Sequence, residues 1–228
     1  MSHAMDVSTT ILALFAALVA SACEDPEDPE ALAAALAADD AAEQAEGAAL
    51  LAAPKGFYIE KVTTGGSGCQ DPGSVQVTLS ADKTMMRIQY DTLQLKRKPG
   101  AAVQTTSCTA ALILRIPPGW RVAPANLLTR GYAYLDQGVK ARRNTSLFFA
   151  GVPGGPEFKT DFKGPRNNIY QLADVVKPGA ATWSGCGGSA ILSISNGLAL
   201  NATGNLNGGA LFTLHDQRLV SWQFKKCG

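Results

Sequence analysis

From Lys55 to Gly228 the apolar side chains recur at every second position in short runs that Gly, Pro and Asn cut off, and this pattern commits the chain to strands. Ser74-Val75-Gln76-Val77-Thr78-Leu79 has period two. After the turn-forming Ala81-Asp82-Lys83 comes Met86-Arg87-Ile88-Gln89-Tyr90, so the two runs are expected to pair as a hairpin. Similar runs follow at Cys108 to Ile116, Gly131 to Leu135, Leu147 to Ala150, Ala190 to Ser195, Leu211 to Leu214 and Leu219 to Phe224. They are separated by breakers such as Pro117-Pro118-Gly119 and Pro153-Gly154-Gly155-Pro156. No helical period lies between the runs. The expected fold is therefore all-β, an antiparallel sandwich of jelly-roll or Greek-key type, and the segment is long enough to bury a sizeable core.

Charge divides the chain in two. Between Cys23 and Pro54 stand nine acids and no base, whereas from Lys55 onward there are 20 bases against nine acids, a net of +11. The formal net charge of +1 thus hides an acidic, Ala-rich arm joined to a basic body. Before the arm, the apolar stretch Ile11 to Val19 ends in the small residues Ala20-Ser21-Ala22, the pattern of an export signal, and it is short for a membrane span. The expected divisions are 1–22 signal peptide, 23–54 arm, and 55–228 basic β-domain. Asp28-Pro29-Glu30 starts a helix well, but Leu32, Leu36, Leu50 and Leu51 are too few to form a core. The arm is expected to be a frayed helix or disordered, and its charge makes it a candidate partner of the basic body.

The five cysteines support export. Cys23 follows the expected cleavage site, which leaves Cys69, Cys108, Cys186 and Cys227 as an even set that an oxidising compartment pairs. Of three connectivities the sequential one is expected, Cys69 with Cys108 and Cys186 with Cys227. Ala20-Ser21-Ala22-Cys23 approximates a bacterial lipoprotein box, so Cys23 is either a lipidation site, the only membrane attachment expected, or an ordinary mature terminus. Asn144-Thr145-Ser146 and Asn201-Ala202-Thr203 are candidate glycosylation sites in a glycosylating host.

An ordered set of elements in the body resembles a known family. Gly68-Cys69 and Pro72-Gly73-Ser74-Val75 are followed by Cys108 at the start of a strand that ends in Ile116-Pro117-Pro118-Gly119. Then come Arg130-Gly131-Tyr132-Ala133-Tyr134-Leu135, Leu147-Phe148-Phe149, Phe162-Lys163-Gly164-Pro165, Trp183-Ser184-Gly185-Cys186-Gly187, Trp222 and Cys227. Together they resemble the family of secreted, four-cysteine proteins called domain of unknown function 4360. The resemblance implies secretion, disulfides and a β-rich fold, and nothing catalytic.

The chemistry-bearing residues are sparse. Once the signal with His3 is set aside, only His215 remains, at the end of the run Leu211 to Leu214, where a structural role is expected. The spacing of Cys and His suits no metal site, no cofactor is implied, and Gly185-Cys186-Gly187-Gly188-Ser189 lacks the ending of a phosphate loop. The remaining signal is basic. Lys96, Arg97 and Lys98 are placed in a loop before Pro99-Gly100, and alternation puts Lys140 and Arg142 on one strand face with Arg143 on the other. These five, Lys96, Arg97, Lys98, Lys140 and Arg142, are the candidate anion-binding residues, and Trp120, Tyr132 and Tyr134 are candidates for stacking on sugars. Export makes an anionic or wall polysaccharide a more fitting partner than nucleic acid. The expected function is a secreted or cell-surface, non-catalytic binding or structural module. The alternative is an extracellular hydrolase that cleaves polysaccharide with two carboxylates brought together by folding.

Overall fold

The computed structural model describes residues 53–228 except Pro72, Pro99, Pro178 and Val220. The expected signal, Cys23 and nearly all of the acidic arm lie outside the described residues. The strands are β1 (Tyr58–Gly65), β2 (Val75–Leu79), β3 (Met86–Tyr90), β4 (Gln94–Lys96), β5 (Val103–Ile116), β6 (Trp120–Pro124) and β7 (Leu127–Leu135). They continue with β8 (Lys140–Phe149), β9 (Glu157–Lys163), β10 (Arg166–Asp174), β11 (Gly188–Asn201), β12 (Ala210–Leu219) and β13 (Trp222–Lys226). One sheet has the order β1-β5-β11-β8-β9 and the other β10-β7-β12-β3-β2, with β4 also on β12, while β13 and β6 form a separate two-stranded ribbon. The pairings are antiparallel, and the two large sheets form a sandwich.

Alternation decides which side chains fill the space between the sheets. β5 turns Cys108, Ala110, Leu112, Leu114 and Ile116 inward, β11 contributes Leu192, Ile194, Leu198 and Leu200, and the facing sheet supplies Met86, Ile88, Phe212 and Leu214. The β2–β3 hairpin forms in the register Val75↔Tyr90 to Leu79↔Met86. Both disulfides join the expected partners, with Cα–Cα distances of 5.4 Å for Cys69–Cys108 and 6.1 Å for Cys186–Cys227.

Several boundaries differ from expectation. β5 and β11 are 14 residues each and pair along their whole length, from Gly188↔Ile116 to Asn201↔Val103. Their extensions place polar residues at inward positions, Gln104 and Thr106 on β5 and Asn196 on β11, which hides the apolar alternation. Lys96 closes strand β4 rather than lying in a loop. His215 does not end its strand: β12 runs on to Leu219, and the extra residue is absorbed as a bulge between Leu214 and Asp216 against β7.

One stretch of the interior is polar. Arg143, fully buried on β8, donates two hydrogen bonds to Asp174 at the end of β10, Nη1 to Oδ2 at 2.6 Å and Nη2 to Oδ1 at 2.8 Å. Its Nη1 also donates to Thr145 Oγ1 at 3.0 Å and Thr129 Oγ1 at 3.3 Å, and its Nη2 to Thr160 Oγ1 at 3.3 Å. Thr145 in turn donates to Asn196 Oδ1 at 2.6 Å. Asn196 and Gln217 exchange amide hydrogen bonds at 2.8 and 2.9 Å, and the Tyr90 hydroxyl donates to Gln217 Oε1 at 2.9 Å. These bonds satisfy groups that would otherwise cost about 1–3 kcal/mol each to bury, and they pin one sheet to the other.

Candidate functional site at the connection-bearing end

Four connections cross between the sheets at one end of the sandwich. In the first sheet, Val103↔Asn201, Asn201↔Lys140 and Lys140↔Lys163 place the start of β5, the end of β11, the start of β8 and the end of β9 side by side. In the second, Arg166↔Leu135, Leu135↔Ala210 and Leu211↔Lys96 do the same for β10, β7, β12 and β4. Residues 97–102, 136–139, 164–165 and 202–209 bridge these ends. Backbone hydrogen bonds stitch the bridges to one another: Arg97 N to Ala210 O at 2.9 Å, Ala202 N to Ala102 O at 2.7 Å, Asp136 N to Gly209 O at 3.1 Å and Gly164 N to Val139 O at 2.9 Å. Asn205 Nδ2 donates to Gln137 O at 2.8 Å, and an Arg97 guanidinium N–H donates to Leu206 O. Glycine is required for this packing. A Cβ on Gly164 would lie 2.0 Å from Asp136 O, and one on Gly204 would lie 2.7 Å from Gly138 O.

This topology gathers bases that are far apart in sequence. Lys96, Arg97, Lys98, Lys140, Arg142, Lys163 and Arg166 stand on or beside the four connections, with Asp136 and Asp161 as the acids among them, seven bases against two acids. All five sequence-predicted candidates are therefore at one end, though Lys96 lies on the outward face of the second sheet and Lys140 and Arg142 on that of the first. Lys163 and Arg166 were missed because each is an isolated base. The alternation of Glu157, Lys159, Asp161 and Lys163 was the available signal for an exposed strand face.

Two aromatic candidates share this end. Tyr132 and Tyr134 point outward from β7, and Tyr134, 37% exposed, lies in the cross-strand row Asn167–Tyr134–Leu211–Lys96. Its hydroxyl donates to Asp136 Oδ1 at 2.8 Å, and the Tyr132 hydroxyl donates to Asn167 Oδ1. Trp120 belongs instead to the β6–β13 ribbon, under the Lys226 ammonium at 4.1 Å.

The two acids at this end are held ionised. The Gly209 N–H and then the Tyr134 hydroxyl hold Asp136 below the usual carboxylate range. Arg142 does the same for Asp161, donating from Nε at 2.6 Å and Nη2 at 2.9 Å, with Lys163 and Lys140 adding to the effect. Elsewhere Glu60 is lowered by Arg115, Glu157 by Lys159 and then Asn144, and Asp82 by Ser80 and then Thr84. A glycosidase general acid needs the opposite shift, toward a carboxyl that keeps its proton near neutrality. Asp174 is committed to Arg143, and Asp216 lies between Arg87 at 3.8 Å and Arg218 at 3.7 Å.

His215 is exposed, with Nε2 3.0 Å from Thr213 Oγ1. Among the described residues no group of three His, Cys, Asp or Glu side chains is placed to hold a metal ion. Of the two sequons, Asn144 lies within β8 with Nδ2 donating to Glu157 Oε1 at 3.1 Å. Asn201 ends β11, exposed, with Oδ1 accepting from Thr203 N at 2.9 Å and Thr203 Oγ1 at 2.7 Å.

Fold and crosslinks define an all-β, disulfide-stapled protein, and the crosslinks fit an extracellular location. The chain belongs to the family described as Domain of unknown function (DUF4360), whose model matches residues 55–227. A curated relative, an uncharacterized secreted protein of Arthroderma benhamiae, is 32% identical over 152 residues, 66% of this chain and 62% of the relative. The chain thus spans less than two thirds of that relative's length. Among solved structures, TmCBM61 in complex with beta-1,4-galactotriose is 10% identical with a TM-score of 0.25, over 74% of this chain and 90% of the other. The agarase AgWH50C is 12% identical with a TM-score of 0.24, over 72% and 24%. Likenesses this weak bear on neither ligand nor mechanism. Of the five cysteines, four form the two disulfides, and the fifth, Cys23, lies outside the described residues.

Proposed function

We propose that the chain is a secreted, non-catalytic module that binds an anionic extracellular or cell-wall polysaccharide at its connection-bearing end. The observation that carries this reading is the gathering of seven bases, with two acids, around four stitched connections beside the outward Tyr134. An end with a net excess of positive charge attracts a polyanion and raises its rate of encounter, and an exposed tyrosine face adds apolar contact to a sugar ring. The tight connections fix the backbone that carries the cations, so the ordering that opposes binding is confined to their side chains. No reacting group is needed for this function, which fits carboxylates held ionised by neighbouring donors.

The test is affinity for polygalacturonate and dextran sulfate, with unsubstituted dextran as the neutral control, at low and high salt. The triple variant Lys96→Glu, Lys98→Glu, Lys140→Glu is expected to bind the charged polymers about tenfold more weakly, the sum of three exposed contacts at roughly 0.5 kcal/mol each. High salt should weaken the wild type in the same direction. Because both acids of this end titrate below the usual carboxylate range, they stay charged as the pH falls to mildly acidic values, and affinity should not rise there through their neutralisation. A wild-type protein that binds neither charged polymer would overturn the reading.

A further inference from the structure

Lys140 and Lys163 stand directly opposite each other in the β8–β9 pairing, both on the outward face and both exposed. Directly opposed residues of an antiparallel pair have Cβ atoms about 4.5–5.5 Å apart, so the two ammonium groups, on flexible stems, reach the same small volume of solvent. Like charges in this relation disfavour the pairing unless an anion lies between them. The neighbouring row offers one acid for three cations: Asp161 is opposite Arg142, which takes both of its carboxylate oxygens, at 2.6 and 2.9 Å. The fields of Lys163 and Lys140 also reach Asp161, after that of Arg142, which places both ammonium charges close to this row. Two positive charges are left over. On the other side of Lys140, in the same cross-strand row, stands Asn201. Its Oδ1 is occupied by Thr203, which leaves the Nδ2 amide of this exposed residue as a donor.

We propose that Lys140 and Lys163 form a clamp for one oxyanion substituent of a polysaccharide, a carboxylate or a sulfate ester, with the Asn201 amide as a third donor. The proposal rests on the reading that this end binds an anionic polysaccharide, and it names the group that is gripped. A neutral sugar hydroxyl offers nothing that two adjacent ammonium groups require. A single oxyanion has several acceptor positions, enough for both lysines at once, and it cancels their mutual repulsion.

A double-mutant cycle tests the clamp against a general positive field. The affinities of wild type, Lys140→Gln, Lys163→Gln and the double variant are measured for polygalacturonate and for dextran sulfate at low salt, with Lys96→Gln as a base on the other face. If both lysines hold the same group, each single substitution weakens binding about fivefold and the double variant loses little more, a coupling within the range seen for residues that share a partner. Coupling with polygalacturonate alone assigns a carboxylate, and coupling with dextran sulfate alone assigns a sulfate ester. Independent losses that multiply, or losses no larger than that of Lys96→Gln, overturn the clamp while leaving the polysaccharide reading in place. If the wild type binds neither polymer, both fall together. Both side chains are exposed, so thermal unfolding of all four proteins should show an intact fold.

Discussion

Replacing Asp174 with Asn is expected to cost about 3–5 kcal/mol of stability, the usual penalty for removing one partner of a buried ion pair. The guanidinium of Arg143 is 0% exposed and the Asp174 carboxylate 8%. Asn keeps the shape and one acceptor, but it removes the charge that balances Arg143. The buried guanidinium is then left to the one Asn oxygen and the hydroxyls of Thr129, Thr145 and Thr160, at 3.0–3.3 Å, none of them charged. The effect is global because the bond crosses the sandwich. Arg143 sits on β8 of the first sheet and Asp174 on β10 of the second. Urea unfolding should show a lower midpoint with an unchanged slope. A loss under about 1 kcal/mol would mean that the hydroxyls alone compensate the charge. The paired replacement Arg143→Met with Asp174→Leu is expected to recover most of the loss, since removing both charges leaves neither one buried and unpaired.

The same arginine shows what the sequence could and could not convey. Parity along Lys140 to Phe149 separates Arg143 from Lys140 and Arg142 and groups it with Ala141, Thr145, Leu147 and Phe149, the residues of the inward face. That much follows from period two alone. Its partner does not, because Asp174 is on a strand whose outward residues are Asn167, Ile169, Gln171 and Ala173, without the polar and apolar contrast that marks a strand. The site has the same character. Lys96-Arg97-Lys98 and Lys140 with Arg142 were visible as clusters, and Tyr132 and Tyr134 as aromatics at strand spacing. Their meeting at one end depends on which strands neighbour which. β4 lies on β12 and β8 on β11, through partners such as Lys96 with Leu211 and Lys140 with Asn201 that are far apart in sequence, so no local pattern encodes them. Lys163 becomes meaningful only through its register with Lys140.

Removal of the Cys69–Cys108 disulfide by a double substitution to Ala is expected to cost about 4 kcal/mol from loop closure and a further amount from the cavity it leaves. The sequence separation is 39 residues, against 41 for Cys186–Cys227, so chain entropy alone predicts nearly equal losses for the two crosslinks. Burial separates them. Cys69 and Cys108 are 2% and 0% exposed and belong to the core, whereas Cys186 is exposed and Cys227 half-buried beside the β6–β13 ribbon. The native state around the first crosslink also resists relaxation. Gly68 N donates to Ser107 O at 2.8 Å, and a Cβ on Gly66 would lie 2.3 Å from that same carbonyl, so the segment before Cys69 is already pressed against β5. Shrinking the two side chains therefore leaves space that the backbone cannot close. Denaturant unfolding of Cys69→Ala with Cys108→Ala, compared with Cys186→Ala with Cys227→Ala, should rank the first pair as the more costly. Under mild reductant, the exposed Cys186–Cys227 bond should open first, as followed by alkylation and peptide mapping. The opposite ranking in both experiments would show that strain or residual structure in the unfolded chain, rather than burial, governs the two crosslinks.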